Sequence, residues 1–112
     1  MYGLGIAILC VFILWCLFRP YSIKVYRFHR PSCPYCVNSQ AEWDKFQFYS
    51  MFSTTQTINI NLNEPQGKRI AQQFQVQTVP TVIGITADGY MEKYEGDRTA
   101  NGYQQWVNEI TG

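Results

Sequence analysis

The sequence predicts an α/β domain: a mixed four-stranded sheet flanked by helices, in the order β-α-β-α-β-β-α, preceded by one transmembrane helix. Three observations carry this. Segments with the two-residue period of strands alternate with segments of helical period. Asp88-Gly89 stands between the last two apolar-rich strands as a hairpin turn. The first eighteen residues contain no charged side chain.

Composition bounds the rest. A length of 112 residues allows one domain, and the residues after the apolar run can bury a single modest core. A formal net charge of +1 gives no electrostatic footprint for nucleic acid. Aromatic residues at 16 % exclude a disordered chain, because they require burial.

Tyr2 to Phe18, YGLGIAILCVFILWCLF, would span about 25 Å as a helix at 1.5 Å per residue, near the short end of the membrane-crossing range. A cleaved signal peptide wants a basic start and a small-residue cleavage site, whereas this run ends Trp15-Cys16-Leu17-Phe18. A core helix wants a polar face, which is lacking. Residues 2–18 are therefore read as an anchor and 22–112 as the folded domain. Arg19, Lys24, Arg27 and Arg30 come next with no acid among them, which places the domain on the cytosolic side.

Ser22 to His29 is β-branched and aromatic and reads as a strand. Pro34 opens a helix reaching about Phe52, proline being tolerated in the first turn. Val37, Ala41, Phe48 and Phe52 form its expected apolar face. Thr57 to Leu62 alternates, with Ile58, Ile60 and Leu62 on one side. Glu64-Pro65 begins a short helix carrying Ile70, Ala71 and Phe74. Thr81 to Ala87 is an apolar strand, and Tyr90 to Glu95 returns beside it. The last helix places Tyr103, Trp106, Val107 and Ile110 on one face. Strand, crossover helix and strand give a parallel pair, to which the hairpin adds antiparallel strands.

The chemistry lies in Cys33-Pro34-Tyr35-Cys36. Thiol exchange needs a thiolate nucleophile and a second thiol near enough to release the mixed disulfide. At a strand-to-helix turn, Cys33 meets free backbone N–H groups that favour a negative sulfur, and Cys36 lies one turn further on the same side. A zinc site would need a second ligand pair. The only histidine is His29, and Cys10 and Cys16 lie in the apolar run, so no metal or resident cofactor is expected. Cys16, near the membrane boundary, is a weak candidate for acylation; apolar filling is the plainer account.

Arg30-Pro31-Ser32-Cys33-Pro34-Tyr35-Cys36 resembles the glutaredoxin active site. Gln77-Thr78-Val79-Pro80-Thr81 resembles the cis-proline segment of the thioredoxin-like superfamily. Tyr94 to Thr99 is closer to thioredoxins and protein disulfide isomerases, and the double glycine that glutaredoxins use for glutathione is missing. The resemblance spans about Ile23 to Ile110. It implies a thioredoxin-like fold and a thiol–disulfide oxidoreductase acting on protein disulfides, with glutathione open as a co-substrate; together with the apolar run it gives a membrane-anchored enzyme. Cys33 would attack and Cys36 resolve. Arg30, Tyr35, Val79 and a cis Pro80 would form the substrate-binding surface, the Val79 backbone pairing with an extended substrate. Thioredoxins place a buried acid six residues before the first cysteine. Arg27 stands there, and is expected at a sheet edge or against lipid headgroups, since a deeply buried arginine needs a partner. The competing readings are a glutathione-linked glutaredoxin, a cluster-binding dimer using Cys33, and a redox-inactive module that holds a client in the proline groove.

Overall fold

The computed structural model of the protein describes residues 7–11 and 21–112. Most of the stretch read as an anchor lies outside the described residues; its described part, 7–11, is helical and exposed. Among the described residues, no helix is long and apolar enough to cross a membrane.

The domain runs β1 (Ile23–His29), α1 (Pro34–Asn38), α2 (Gln40–Ser50), β2 (Thr55–Asn61), α3 (Pro65–Gln73), β3 (Thr81–Thr86), β4 (Met91–Lys93) and α4 (Ala100–Thr111). The sheet order is β2-β1-β3-β4. β1 pairs parallel with β2 and antiparallel with β3, and β3 pairs antiparallel with β4. The hairpin turns at Gly89, whose φ of +93° suits glycine. β4 is shorter than the predicted Tyr90–Glu95: Tyr94 still donates its N–H to Val82 O, but its ring turns onto Tyr103 and Trp106.

Because side chains alternate along a strand, β1 feeds two cores. Ile23 and Val25 face α2 and α4, packing with Trp43, Phe46, Tyr103, Trp106 and Val107. Phe28 faces α3, in a cluster with Ile60, Leu62, Ala71 and Ile83. The central strand thus carries the turn to Cys33 out of the best-packed part of the molecule.

Two expectations are corrected here. The single helix from Pro34 to Phe52 is broken at Ser39, and its buried side is not the expected one. Val37, Phe48 and Phe52 are exposed, while Cys36, Ser39, Trp43, Phe46 and Ser50 are buried. The buried set recurs at three- and four-residue steps, as a helix face must. It contains two serines whose hydroxyls donate to carbonyls of the preceding turn, Ser39 to Tyr35 O and Ser50 to Phe46 O, and so are satisfied without water. Arg27 is the second correction. It points neither to an edge nor toward headgroups, being 1 % exposed on the Ile23 and Val25 face of β1, between strands on both sides. It therefore drops out of the charge count on which the cytosolic placement rests.

Candidate active site

Beyond β1 the chain turns tightly, the Cys33 N–H donating to Arg30 O at 3.1 Å. Cys33 then caps α1: with an extended backbone (φ −83°, ψ 115°), its sulfur accepts the Cys36 N–H at 3.1 Å. A side-chain acceptor at this position satisfies one of the helix's free N–H groups. Pro34, in the first turn, has no N–H to lose there. The result is a dithiol in register: Cys33 is 9 % exposed at the rim and Cys36 3 % exposed below it, both as free thiols.

The Val79–Pro80 segment closes the other side. The peptide bond between them is cis, and the Cys33 thiol donates to Val79 O at 3.8 Å. Thr81 Oγ1 donates to Thr78 O at 2.6 Å and ties the loop to the start of β3. Shallow grooves flank the segment, one of about 310 Å³ between Pro80 and Arg98.

Arg27 lies beneath the dithiol. Its Nη2 donates to Cys36 O at 2.8 Å and to Ser39 Oγ at 3.3 Å, and its Nη1 donates to Gln40 Oε1 at 2.9 Å. The guanidinium lies 5.7 Å from the Trp43 ring centroid, a cation–π distance. The helix break at Ser39 leaves the Cys36 carbonyl to be taken by Arg27 and Ser39 rather than by the next turn. Burial lowers the arginine's pKa, and the Cys36 thiol, as the leading charge partner, acts to raise it; arginine stays charged in proteins.

The two thiols shift in opposite directions. Burial pushes Cys33 up, but hydrogen bonds from the Cys36 thiol and the Cys36 and Tyr35 amides, with the charge of Arg27, outweigh it and hold Cys33 below its ordinary value. Burial raises Cys36, and its hydrogen bond to Cys33 raises it further, against the Arg30 backbone and Arg27. The lowered pKa favours the thiolate at Cys33 and the raised one favours the thiol at Cys36.

Of the residues singled out in the sequence, Cys33, Cys36, Val79 and Pro80 meet in space. Tyr35 lies beside the rim, 65 % exposed. Arg30 is exposed and touches the dithiol through its backbone; the charge acting on both thiols is that of Arg27. Sequence reasoning missed three partners. Gln40 and Ser39 complete the arginine cradle, and the Arg98 guanidinium lies 5.5 Å from the Tyr35 ring centroid. For Arg27 a signal existed, its parity with Ile23 and Val25 on a strand; Arg98 had none.

No protein-family profile matches the chain. Thioredoxin-related transmembrane protein 1 of Bos taurus and of Homo sapiens are each 26 % identical over 82 residues, a stretch covering 73 % of this chain and 28 % of theirs. The chain thus spans less than a third of those relatives' length. Among solved structures, the J-Trx1 fragment of ERdj5 superposes with a TM-score of 0.71 at 16 % identity, covering 80 % of this chain and 43 % of that one. The first thioredoxin domain of mouse protein disulfide-isomerase A4 gives 0.69 at 19 % identity, covering 90 % of this chain and 70 % of that one. The domain therefore has a thioredoxin-like fold.

Proposed function

We propose that this chain is a thiol–disulfide oxidoreductase with Cys33 as nucleophile and Cys36 as resolving thiol. The observation that carries the proposal is the capping geometry, in which the Cys33 sulfur accepts the Cys36 N–H at 3.1 Å over a buried arginine. The Cys33 thiolate attacks one sulfur of a substrate disulfide, the other leaves as a thiolate and takes a proton from water, and a mixed disulfide forms. Cys36 loses its proton and attacks the Cys33 sulfur. The second substrate thiol leaves, and Cys33–Cys36 is a disulfide. Two electrons have passed to the substrate, and the reverse sequence oxidises a substrate dithiol. With no carboxylate at position 27, the Cys36 proton leaves to solvent.

Protein disulfides are the proposed substrates, an extended strand lying along Val79 and Pro80 beside the rim; glutathione disulfide fits the same step. The apolar segment 2–18 is proposed to hold the domain at a membrane, supported by its hydropathy and by the transmembrane naming of the relatives. Arg19, Lys24 and Arg30 favour the cytosolic side.

Trapping tests the assignment. The full chain carrying Cys36→Ser should accumulate mixed disulfides with reduced-and-reoxidised insulin or with glutathione, and Cys33→Ser should neither trap nor turn over. Equal residual activity in the two variants would remove the role assignment. Resistance to carbonate extraction tests the anchor, and protease protection in sealed vesicles tests the side.

A further inference from the structure

Apart from Tyr35 beside the rim of the dithiol, the exposed aromatic side chains gather at the other end of the domain. α2 has polar exposed positions near Cys33 (Gln40, Asp44, Lys45) and apolar ones at its far end. Phe48 is 57 %, Tyr49 55 % and Phe52 76 % exposed. These rings touch one another, with centroids 5.4 Å apart for Phe48–Phe52 and 6.1 Å for Phe48–Tyr49. Exposed apolar rings that touch one another are the kind of feature that interaction surfaces are built from.

Topology says what lies next to it. β1 starts at this end, and Tyr21 lines the same surface depression as Ser50, Met51 and Thr55. Ser22 donates to Thr54 O at 2.9 Å and accepts from Ala87 N at 3.0 Å, which brings the β3–β4 turn and exposed Tyr90 to the same end. Cys33 comes after the other end of β1, about 20 Å away at 3.3 Å per residue. The apolar run ends at Phe18, only three residues before Tyr21, so a chain of that length cannot carry a bilayer far from this end.

We infer that Phe48, Tyr49 and Phe52, with Tyr21 and Tyr90 at the same end of the domain, rest in the headgroup region of the bilayer that holds segment 2–18, presenting Cys33 on the side of the domain away from the membrane. The inference rests on the anchor proposed above. Aromatic rings are the side chains that favour the membrane–water interface, and amphipathic surfaces settle there with the apolar side shallowly buried. The domain would then have a fixed attitude, with its dithiol facing soluble clients rather than sulfurs at the lipid surface.

The test uses the full chain in phosphatidylcholine nanodiscs at one chain per disc. Its four cysteines are replaced by serine, and a nitroxide is placed at Met51→Cys or, as control at the Cys33 end, at Asn63→Cys. Collision with a water-soluble nickel chelate should be several-fold lower at position 51 than at 63, and collision with oxygen higher. The contrast should collapse in Phe48→Ser/Tyr49→Ser/Phe52→Ser, while the chain still resists carbonate. Should that variant lose its far-ultraviolet circular dichroism, Phe52→Ser alone serves, and it should weaken the contrast. Equal accessibility at 51 and 63 in a carbonate-resistant chain overturns this inference and leaves the anchor standing. Extraction by carbonate overturns both. A contrast that appears only with two chains per disc makes the patch a self-association surface and overturns the inference.

Discussion

Replacing Arg27 by methionine isolates what a buried cation does under a dithiol. The guanidinium donates to Cys36 O at 2.8 Å, and the sulfurs lie a few bonds further, which puts the charge about 6–8 Å from a thiolate by covalent geometry. At an effective dielectric of about 20, a unit charge at that range acts on the thiolate with about 2–3 kcal/mol. For a two-electron couple, with about 30 mV per 1.4 kcal/mol, the upper bound on the effect is about 60 mV. The sign is set by the reduced state. Losing the cation destabilises the thiolate, hence the dithiol form, so the disulfide becomes harder to reduce and its potential falls. Methionine can fill the space against the Trp43 ring, with which thioether sulfur packs favourably. Gln40 is exposed and finds water, and the Ser39 hydroxyl, which otherwise donates to Tyr35 O, can turn to the Cys36 carbonyl 3.3 Å away. The fold should therefore survive, as a thermal melt would show. Equilibration of the variant with glutathione buffers at pH 7 should give a potential lower by tens of millivolts, and Arg27→Lys, which keeps the charge, should lie between. A folded Arg27→Met protein with an unchanged or higher potential would refute the electrostatic role of Arg27.

Two further outcomes are expected. Alkylation of the reduced protein by iodoacetamide should proceed at Cys33 at pH values below the ordinary thiol range, since its pKa is lowered, and should spare Cys36, whose pKa is raised; peptide mapping across a pH series reads both, and a reversed order of the two sulfurs would contradict the site. Gly84→Ala should destabilise by about 1–3 kcal/mol, the usual cost of overpacking, because a Cβ there would lie 2.8 Å from the Trp106 ring and 3.0 Å from Ile23 Cδ1; urea unfolding measures it, and no loss would mean that the α4–sheet contact is loose.

The features legible in the sequence were those that period and turn chemistry determine. The alternation over Thr57–Leu62 and the Tyr103–Trp106–Val107–Ile110 face correspond to elements with those apolar residues turned inward, the β-branched and aromatic run Ser22–His29 to the central strand, and Asp88-Gly89 to an exposed turn. Cys33 at a strand-to-helix turn was legible because Pro34 marks a first turn. The face of α2 was not legible, because the apolar residues Phe48 and Phe52 are exposed and two serines are buried; hydrophobicity ranks these wrongly once a hydroxyl can donate one turn back. Arg27 failed for a related reason. Its parity with Ile23 and Val25 pointed inward, but a charge is expected to stay in water unless partnered. Its partners, a released carbonyl, a serine and a glutamine, come together only because α1 breaks at Ser39. The contact between Arg98 and Tyr35 joins residues 63 positions apart, which no local pattern encodes.

The central claim is that Cys33 and Cys36 form a reversible, working redox pair, and its reduction potential tests this most directly. A capped, arginine-supported sulfur stabilises the dithiol form, and no carboxylate at position 27 assists Cys36. Equilibration of the full chain with defined glutathione buffers at pH 7 should therefore give a two-electron potential of roughly −230 to −180 mV, the range of glutaredoxins and disulfide isomerases. A value near −270 mV, the level of thioredoxin, would make the pair mainly a reductant, and one below about −300 mV would mark a structural disulfide and contradict the account.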